Sequence, residues 1–152
     1  MKKKLKVLMI DDHPMIIEGY KNTLLGENQK EYQIKIDIAS NCDDAYETIV
    51  KSSETVPYDM LFIDIKLPPS SDGTITSGED LAKHAKELLP KSKIIILTMH
   101  REDHRIHNIL KNINPSGFLI KSDLTSAELL LAFNNIVKGK AYYSATVNDH
   151  FR

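Results

Sequence analysis

The sequence predicts a doubly wound α/β fold, a five-stranded parallel sheet with helices on both faces. Three observations point there. Short apolar runs alternate with stretches of helical periodicity along nearly the whole chain. Runs such as MLFIDI and KIIILT are almost continuously apolar, as strands buried on both faces are. Right-handed crossovers between parallel strands then put helices on each side of the sheet.

The elements follow in order. Leu5 to Ile10 (LKVLMI) is an apolar run ending in Asp11 and Asp12, and Pro14 stands where a helix can start without a missed N–H. Ile16, Ile17, Tyr20, Leu24 and Leu25 recur at helical spacing, with Gly26 as the expected stop. Ile34, Ile36 and Ile38 alternate with the two-residue period of a strand. Asn41 is placed to cap the next helix, whose face is Ala45, Ile49 and Val50. Met60 to Ile65 is the third strand, and the Pro-rich stretch from Leu67 to Gly73 cannot continue it. Glu79 to Leu89 is helical through Leu81, Ala82, Ala85, Leu88 and Leu89. Lys93 to Thr98 is a buried strand. Arg101 to Asn112 is a polar helix with Ile106, Ile109 and Leu110 on one side. Gly117 to Ile120 is a fifth strand. Asp123 or Thr125 opens a last helix through Leu129, Leu130, Phe133, Ile136 and Val137, closed by Gly139.

Composition limits the function. The chain has 152 residues, 41% apolar and 27% charged, with a formal net charge of −1. That length suits one domain with a full core, and the charge offers no bulk field for nucleic acid or membrane. A single cysteine, Cys42, excludes an internal disulfide and suits a reducing cytosol. The lysines at positions 2–4 precede an apolar run too short for export, and no stretch approaches a membrane span. A cytoplasmic location is expected. Residues 1–139 read as one domain, and residues 140–152 as the start of a linker or C-terminal extension with no output domain.

Ligands of such sheets lie beyond the carboxyl ends of the strands. Those ends carry Asp11-Asp12, Ala39-Ser40, Asp64, Thr98 and Lys121. An unpaired carboxylate at the end of a buried strand is costly, and Asp11 and Asp12 only add like charge. A divalent cation resolves the conflict. Magnesium takes oxygen ligands in an octahedron at about 2.0–2.1 Å and keeps several waters. Asp12 and Asp64 are candidate direct ligands, the backbone carbonyl of Lys66 is a third, and Asp11 acts through water; Mn²⁺ is the alternative ion. Lys121 brings positive charge to Asp64 or to a phosphoryl group on it, and Thr98 offers a hydroxyl to the same group. An aspartate can be a phosphoryl nucleophile, and phosphoryl transfer is mainly positioning and charge neutralisation. Phe118 is the ring expected to turn inward as Thr98 moves toward a bound phosphoryl group.

Together, Asp11-Asp12 after LMI, Asp64 after MLFI, Pro68 four residues on, Thr98 after KIIIL and Lys121 in GFLIK resemble the receiver domain of two-component response regulators. The resemblance covers residues 5 to about 139. DDHPMIIEG, ILTMH, GFLIKSD and AYYS are most similar to the subfamily with a LuxR-type helix-turn-helix output domain. The resemblance implies a flavodoxin-like (βα)5 sheet of strand order 2-1-3-4-5. It implies phosphorylation of Asp64 by a sensor histidine kinase or phosphotransfer protein, with acetyl phosphate as a small-molecule donor. It further implies homodimerisation on phosphorylation, and control of transcription through DNA contacts made only by an output domain. The chain would be a switch that catalyses its own phosphoryl transfer and slow dephosphorylation, rather than a conventional enzyme.

Departures from the family pattern set further expectations. Residues 69–77 (PSSDGTITS) look like an insertion. Ser122 follows Lys121 where many relatives have proline, so a cis peptide there is less favoured. Lys66 and His100, each two residues beyond a site residue, are expected to leave a hydrolytic water poorly placed and phospho-Asp64 long-lived. The other histidines, His13, His84, His104, His107 and His150, read as solvated, although His100, His104 and His107 share a helical face. Cys42 reads as inert. Two other functions compete. An aspartyl-nucleophile phosphatase would carry an acid at position 66, and a pseudo-receiver scaffold would lack one of Asp12, Asp64 or Lys121.

Overall fold

A computed structural model describes residues 3–28, 31–99 and 103–149. The order is β1 (Lys3–Ile10), α1 (Pro14–Asn28), β2 (Tyr32–Ala39), α2 (Cys42–Glu54), β3 (Met60–Asp64), α3 (Gly78–Leu88), β4 (Lys93–Thr98), α4 (Asp103–Ile113), β5 (Gly117–Ile120), α5 (Ser126–Val137), β6 (Tyr142–Tyr143) and α6 (Ala145–Asn148). The sheet is parallel throughout, with strand order 2-1-3-4-5-6. The expected five-stranded sheet is therefore corrected to six strands. Tyr142 and Tyr143 pair beside Gly117 and Phe118, and a two-residue strand is too short to leave a periodic signal.

Alternate residues of each strand feed two cores. Leu8, Ile10, Leu61, Ile63, Ile94, Ile96, Phe118 and Ile120 meet α2, α3 and α4. Val7, Met9, Met60, Phe62, Ile95, Leu97 and Leu119 meet α1 and α5. Burial on both faces is why these strands are apolar without a break.

Helix ends follow the local chemistry. Asn41, Ser77 and Thr125 each accept a bond from the amide three residues on, which satisfies one of the orphan N–H groups of α2, α3 and α5. Gly139 ends α5 with φ at 87°, and the amides of Gly139 and Lys140 bond back to Ile136 and Asn135. One expected stop fails. Helix α1 runs through Gly26 to Asn28, because a glycine ends a helix only where the chain turns left-handed, and Gly26 does not. All peptide bonds among the described residues are trans, including the one between Lys121 and Ser122.

The tail after α5 folds back onto β5. The Ser144 amide bonds to Phe118 O at 3.0 Å, the Tyr143 hydroxyl donates to Pro115 O at 2.9 Å, and the Tyr142 hydroxyl donates to Glu128 at 3.0 Å. Val147 is wholly buried in the α4 core. This strap covers what would otherwise be an open sheet edge. The inserted loop is equally well tied. Asp72 accepts bonds from Ser70 Oγ and from the amide and hydroxyl of Thr74, Ser71 bonds to Asp43 at the start of α2, and Ile75 is buried. No helix among the described residues is long and apolar enough to cross a membrane.

Candidate functional site: an acidic cluster with a buried lysine

Five strand-end residues meet at the carboxyl edge of the sheet. Asp11 directly follows β1, and its amide bonds to Ala39 O at 3.1 Å, fixing the acidic pair beside β2. Asp11 is almost wholly buried, while the Asp12 side chain is 38% exposed. Asp64 is the last residue of β3 and is 3% exposed. Its Oδ1 accepts the Lys66 amide at 3.1 Å, so the following turn folds over the carboxylate. Thr98 ends β4 and is buried. Lys121 opens a 3₁₀ turn, Lys121–Asp123, immediately after β5 and is 8% exposed.

Charge is balanced locally. Lys121 Nζ stands 3.3 Å from Asp64 Oδ2 and also against Asp11 Oδ2. Neither Asp11 Oδ2 nor Lys121 Nζ makes a hydrogen bond of regular geometry, so the contact is ionic and leaves lone pairs unspent. Burial pushes the Asp64 carboxyl above the ordinary carboxylate range, and the pull of Lys121 offsets only part of that. Burial and the negative charge of Asp11 and Asp64 push the Tyr20 hydroxyl up to about 12. Tyr20 lies with Met15, Met99 and Leu124 along a groove of about 410 Å³ that runs between α1 and α5 to Lys121.

His13 is the site residue that sequence reasoning missed. Its Nδ1 lies 2.8 Å from Asp11 Oδ1, 3.1 Å from Asp12 Oδ1 and 3.9 Å from Asp64 Oδ2. Its position directly after two acids was the available signal. One ligand atom from each of Asp11, Asp12, His13 and Asp64 lies within 4.8 Å of the others. Lone pairs not used in hydrogen bonds, converging carboxylates and an open outer side fit a divalent cation with oxygen ligands.

Other expected residues are less central. The Lys66 side chain is exposed, and its backbone amide joins the turn over Asp64. Phe118 is wholly buried, beside Ile96 and one pleat below Thr98. His100 lies outside the described residues. Cys42 is buried, which raises its thiol pKa and agrees with an inert role. Gly78 is a second missed position. A Cβ there would stand 1.8 Å from the Asp64 carbonyl oxygen, so only glycine allows α3 to start this close to β3.

Fold and site together define a receiver module, and the comparisons agree. The response regulator receiver domain model matches residues 7–134, so the chain belongs to that family. The oxygen regulatory protein NreC of Staphylococcus aureus (strain JH9) is 28% identical over 138 residues, 91% of this chain and 57% of NreC. The chain thus spans little more than half of the curated relatives it matches. A LuxR-family two-component response regulator from Aurantimonas sp. SI85-9A1 aligns with a TM-score of 0.74 at 25% identity, covering 97% of this chain and 95% of that one. The isolated REC domain of RcsB from Salmonella enterica serovar Typhimurium, in the presence of the phosphomimetic BeF3⁻, aligns at 0.76 with 20% identity, covering 97% and 99%.

Proposed function

We propose that this receiver domain accepts a phosphoryl group on Asp64 from a histidine kinase or phosphotransfer protein, with a divalent cation held by Asp11, Asp12, Asp64 and the Lys66 carbonyl. The observation that carries the reading is the Asp64 carboxylate, buried at a strand end and 3.3 Å from a buried ammonium beside two further acids. A carboxylate oxygen attacks the donor phosphorus, the bond to the donor's leaving atom breaks, and an acyl phosphate forms on Asp64. Lys121 neutralises the added charge, and the Thr98 hydroxyl hydrogen-bonds a phosphoryl oxygen. Bound Mg²⁺ or Mn²⁺ supplies charge neutralisation and alignment of the phosphoryl oxygens. A phosphatase reading is less favoured because position 66 is lysine.

The switch runs through β4 and β5. A shift of Thr98 reaches Phe118 through their shared face. Phe118 O is bonded to the Ser144 amide, so motion of β5 is carried directly into the strap. Joined to an output domain, such a receiver would control transcription, as its likeness to a LuxR-family regulator suggests. Phosphorylation favours a homodimer. With the Lys66 side chain exposed and no acid at its position, the phosphorylated state persists well beyond seconds in purified protein without a phosphatase.

Beryllofluoride with magnesium tests the site. Titrated into labelled protein, it should shift the amide resonances of Thr98 and Lys121 in the wild type and leave Asp64→Asn unchanged. Identical spectra with and without it would sink the reading.

A further inference from the structure

We propose that His13 is a nitrogen ligand of the cation site, shifting its preference away from Mg²⁺ toward borderline ions such as Mn²⁺, Co²⁺ and Zn²⁺. The inference rests on the reading of Asp11, Asp12 and Asp64 as the cation site.

The spacing is the first argument. Adjacent ligands around an ion with bonds of about 2.0–2.1 Å stand about 3 Å apart. His13 Nδ1 lies 2.8 Å from Asp11 Oδ1 and 3.1 Å from Asp12 Oδ1. Its 3.9 Å from Asp64 Oδ2 falls between adjacent and opposite positions of the same octahedron.

One hydrogen bond, between His13 Nδ1 and Asp11 Oδ1 at 2.8 Å, accounts for the approach to Asp11 but not for the approach to Asp12 at 3.1 Å. One ring nitrogen carries at most one proton, yet carboxylate oxygens of both Asp11 and Asp12 stand within 3.1 Å of it. Asp11 Oδ1 is already served by the His13 backbone amide at 3.0 Å. Asp11 Oδ2, on a residue 1% exposed, faces the Lys121 ammonium, so Oδ1 is the oxygen turned toward the ring. A cation beside His13 Nδ1 would meet the Asp12 and Asp64 oxygens that the single ring proton cannot.

The backbone holds the ring in place. His13 immediately precedes α1, and its carbonyl accepts the first bond of that helix, from Ile17 at 3.2 Å. The side chain is half exposed, so a hydrated ion can enter past it without unfolding. Carboxylate and carbonyl oxygens suit Mg²⁺ and Mn²⁺, whereas imidazole suits Zn²⁺ and its neighbours. A single imidazole among carboxylates therefore changes which metals compete for the site.

Mn²⁺ tests this, using the full chain, the wild type and His13→Ala, with circular dichroism to confirm folding. Pulsed electron paramagnetic resonance should show ¹⁴N modulation from one imidazole on Mn²⁺ bound to the wild type and none in His13→Ala. Competition titrations should show the Mn²⁺ to Mg²⁺ affinity ratio falling at least about tenfold in the variant, since even outer partners of metal ligands have effects of that size. Nitrogen-free Mn²⁺ in the wild type, an unchanged ratio, equal gains for both ions, or no binding of either ion each overturns the proposal. Nitrogen-free Mn²⁺ in a protein that still accepts phosphate defeats this inference alone. Nitrogen-bound Mn²⁺ in a protein that never accepts phosphate defeats only the functional reading.

Discussion

Gly78 stands so close to Asp64 that a Cβ on it would lie 1.8 Å from the Asp64 carbonyl oxygen. The Gly78 amide also bonds to Ile65 O at 3.1 Å. The first residue of α3 is thus pressed onto the strand end that carries the phosphoacceptor candidate. Gly78→Ala should cost about 1–3 kcal/mol through overpacking, read as a lower midpoint in urea. Gly26→Ala is the control. Open space surrounds it in α1, so stability should rise by about 0.5–1 kcal/mol, read as a higher midpoint. A neutral Gly78→Ala would contradict the close approach.

Asp64 gives a pH dependence of definite sign. Its folded pKa is raised, mainly by burial, so between the unfolded and folded values the folded state binds more protons. Without metal, stability therefore falls as pH rises through the window just above the ordinary carboxylate pKa of about 3.9. Asp64→Asn should flatten that slope and raise the thermal midpoint at neutral pH by a few degrees, at about 2–4 °C per kcal/mol for this length. Magnesium should stabilise the wild type increasingly through the same window and leave the variant nearly unchanged. Thermal scans across pH, with and without the ion, check this.

Lys121 is the buried cation against two acids. Lys121→Ala leaves Asp11 and Asp64 facing each other without it, a loss of about 3–5 kcal/mol. Magnesium should restore part of that loss. Chemical denaturation in chelator and in magnesium separates the two terms.

The strap should matter to stability. Val147 is wholly buried among α4 and β5 side chains, so Val147→Asp should release residues 142–149. Hydrogen exchange would then rise at Tyr143 and Ser144. Ser144 eases the release, since its buried hydroxyl lacks a partner in the docked state. Unchanged exchange would mean that β6 holds without α6.

The sequence made the fold and most of the site legible because both depend on one-dimensional signals. Apolar runs gave four strands and two-residue alternation gave β2, and the polar residues at the ends of the apolar runs gave Asp11, Asp12, Asp64, Thr98 and Lys121. Tyr142–Tyr143 escaped because its pairing rests on two backbone bonds, from the Tyr142 amide to Ser116 O and from the Ser144 amide to Phe118 O, and not on periodicity. His13 escaped because a lone histidine at a helix start has no sign of which way its ring points. Gly78 read as one more helix-start residue, because crowding against Asp64 is a property of three dimensions.

The central claim, phosphorylation of Asp64, is tested most directly by intact mass spectrometry after incubation with acetyl phosphate and magnesium. The wild type should gain the mass of one phosphoryl group and Asp64→Asn none. A wild type that gains nothing, or an adduct that survives the substitution, would contradict it.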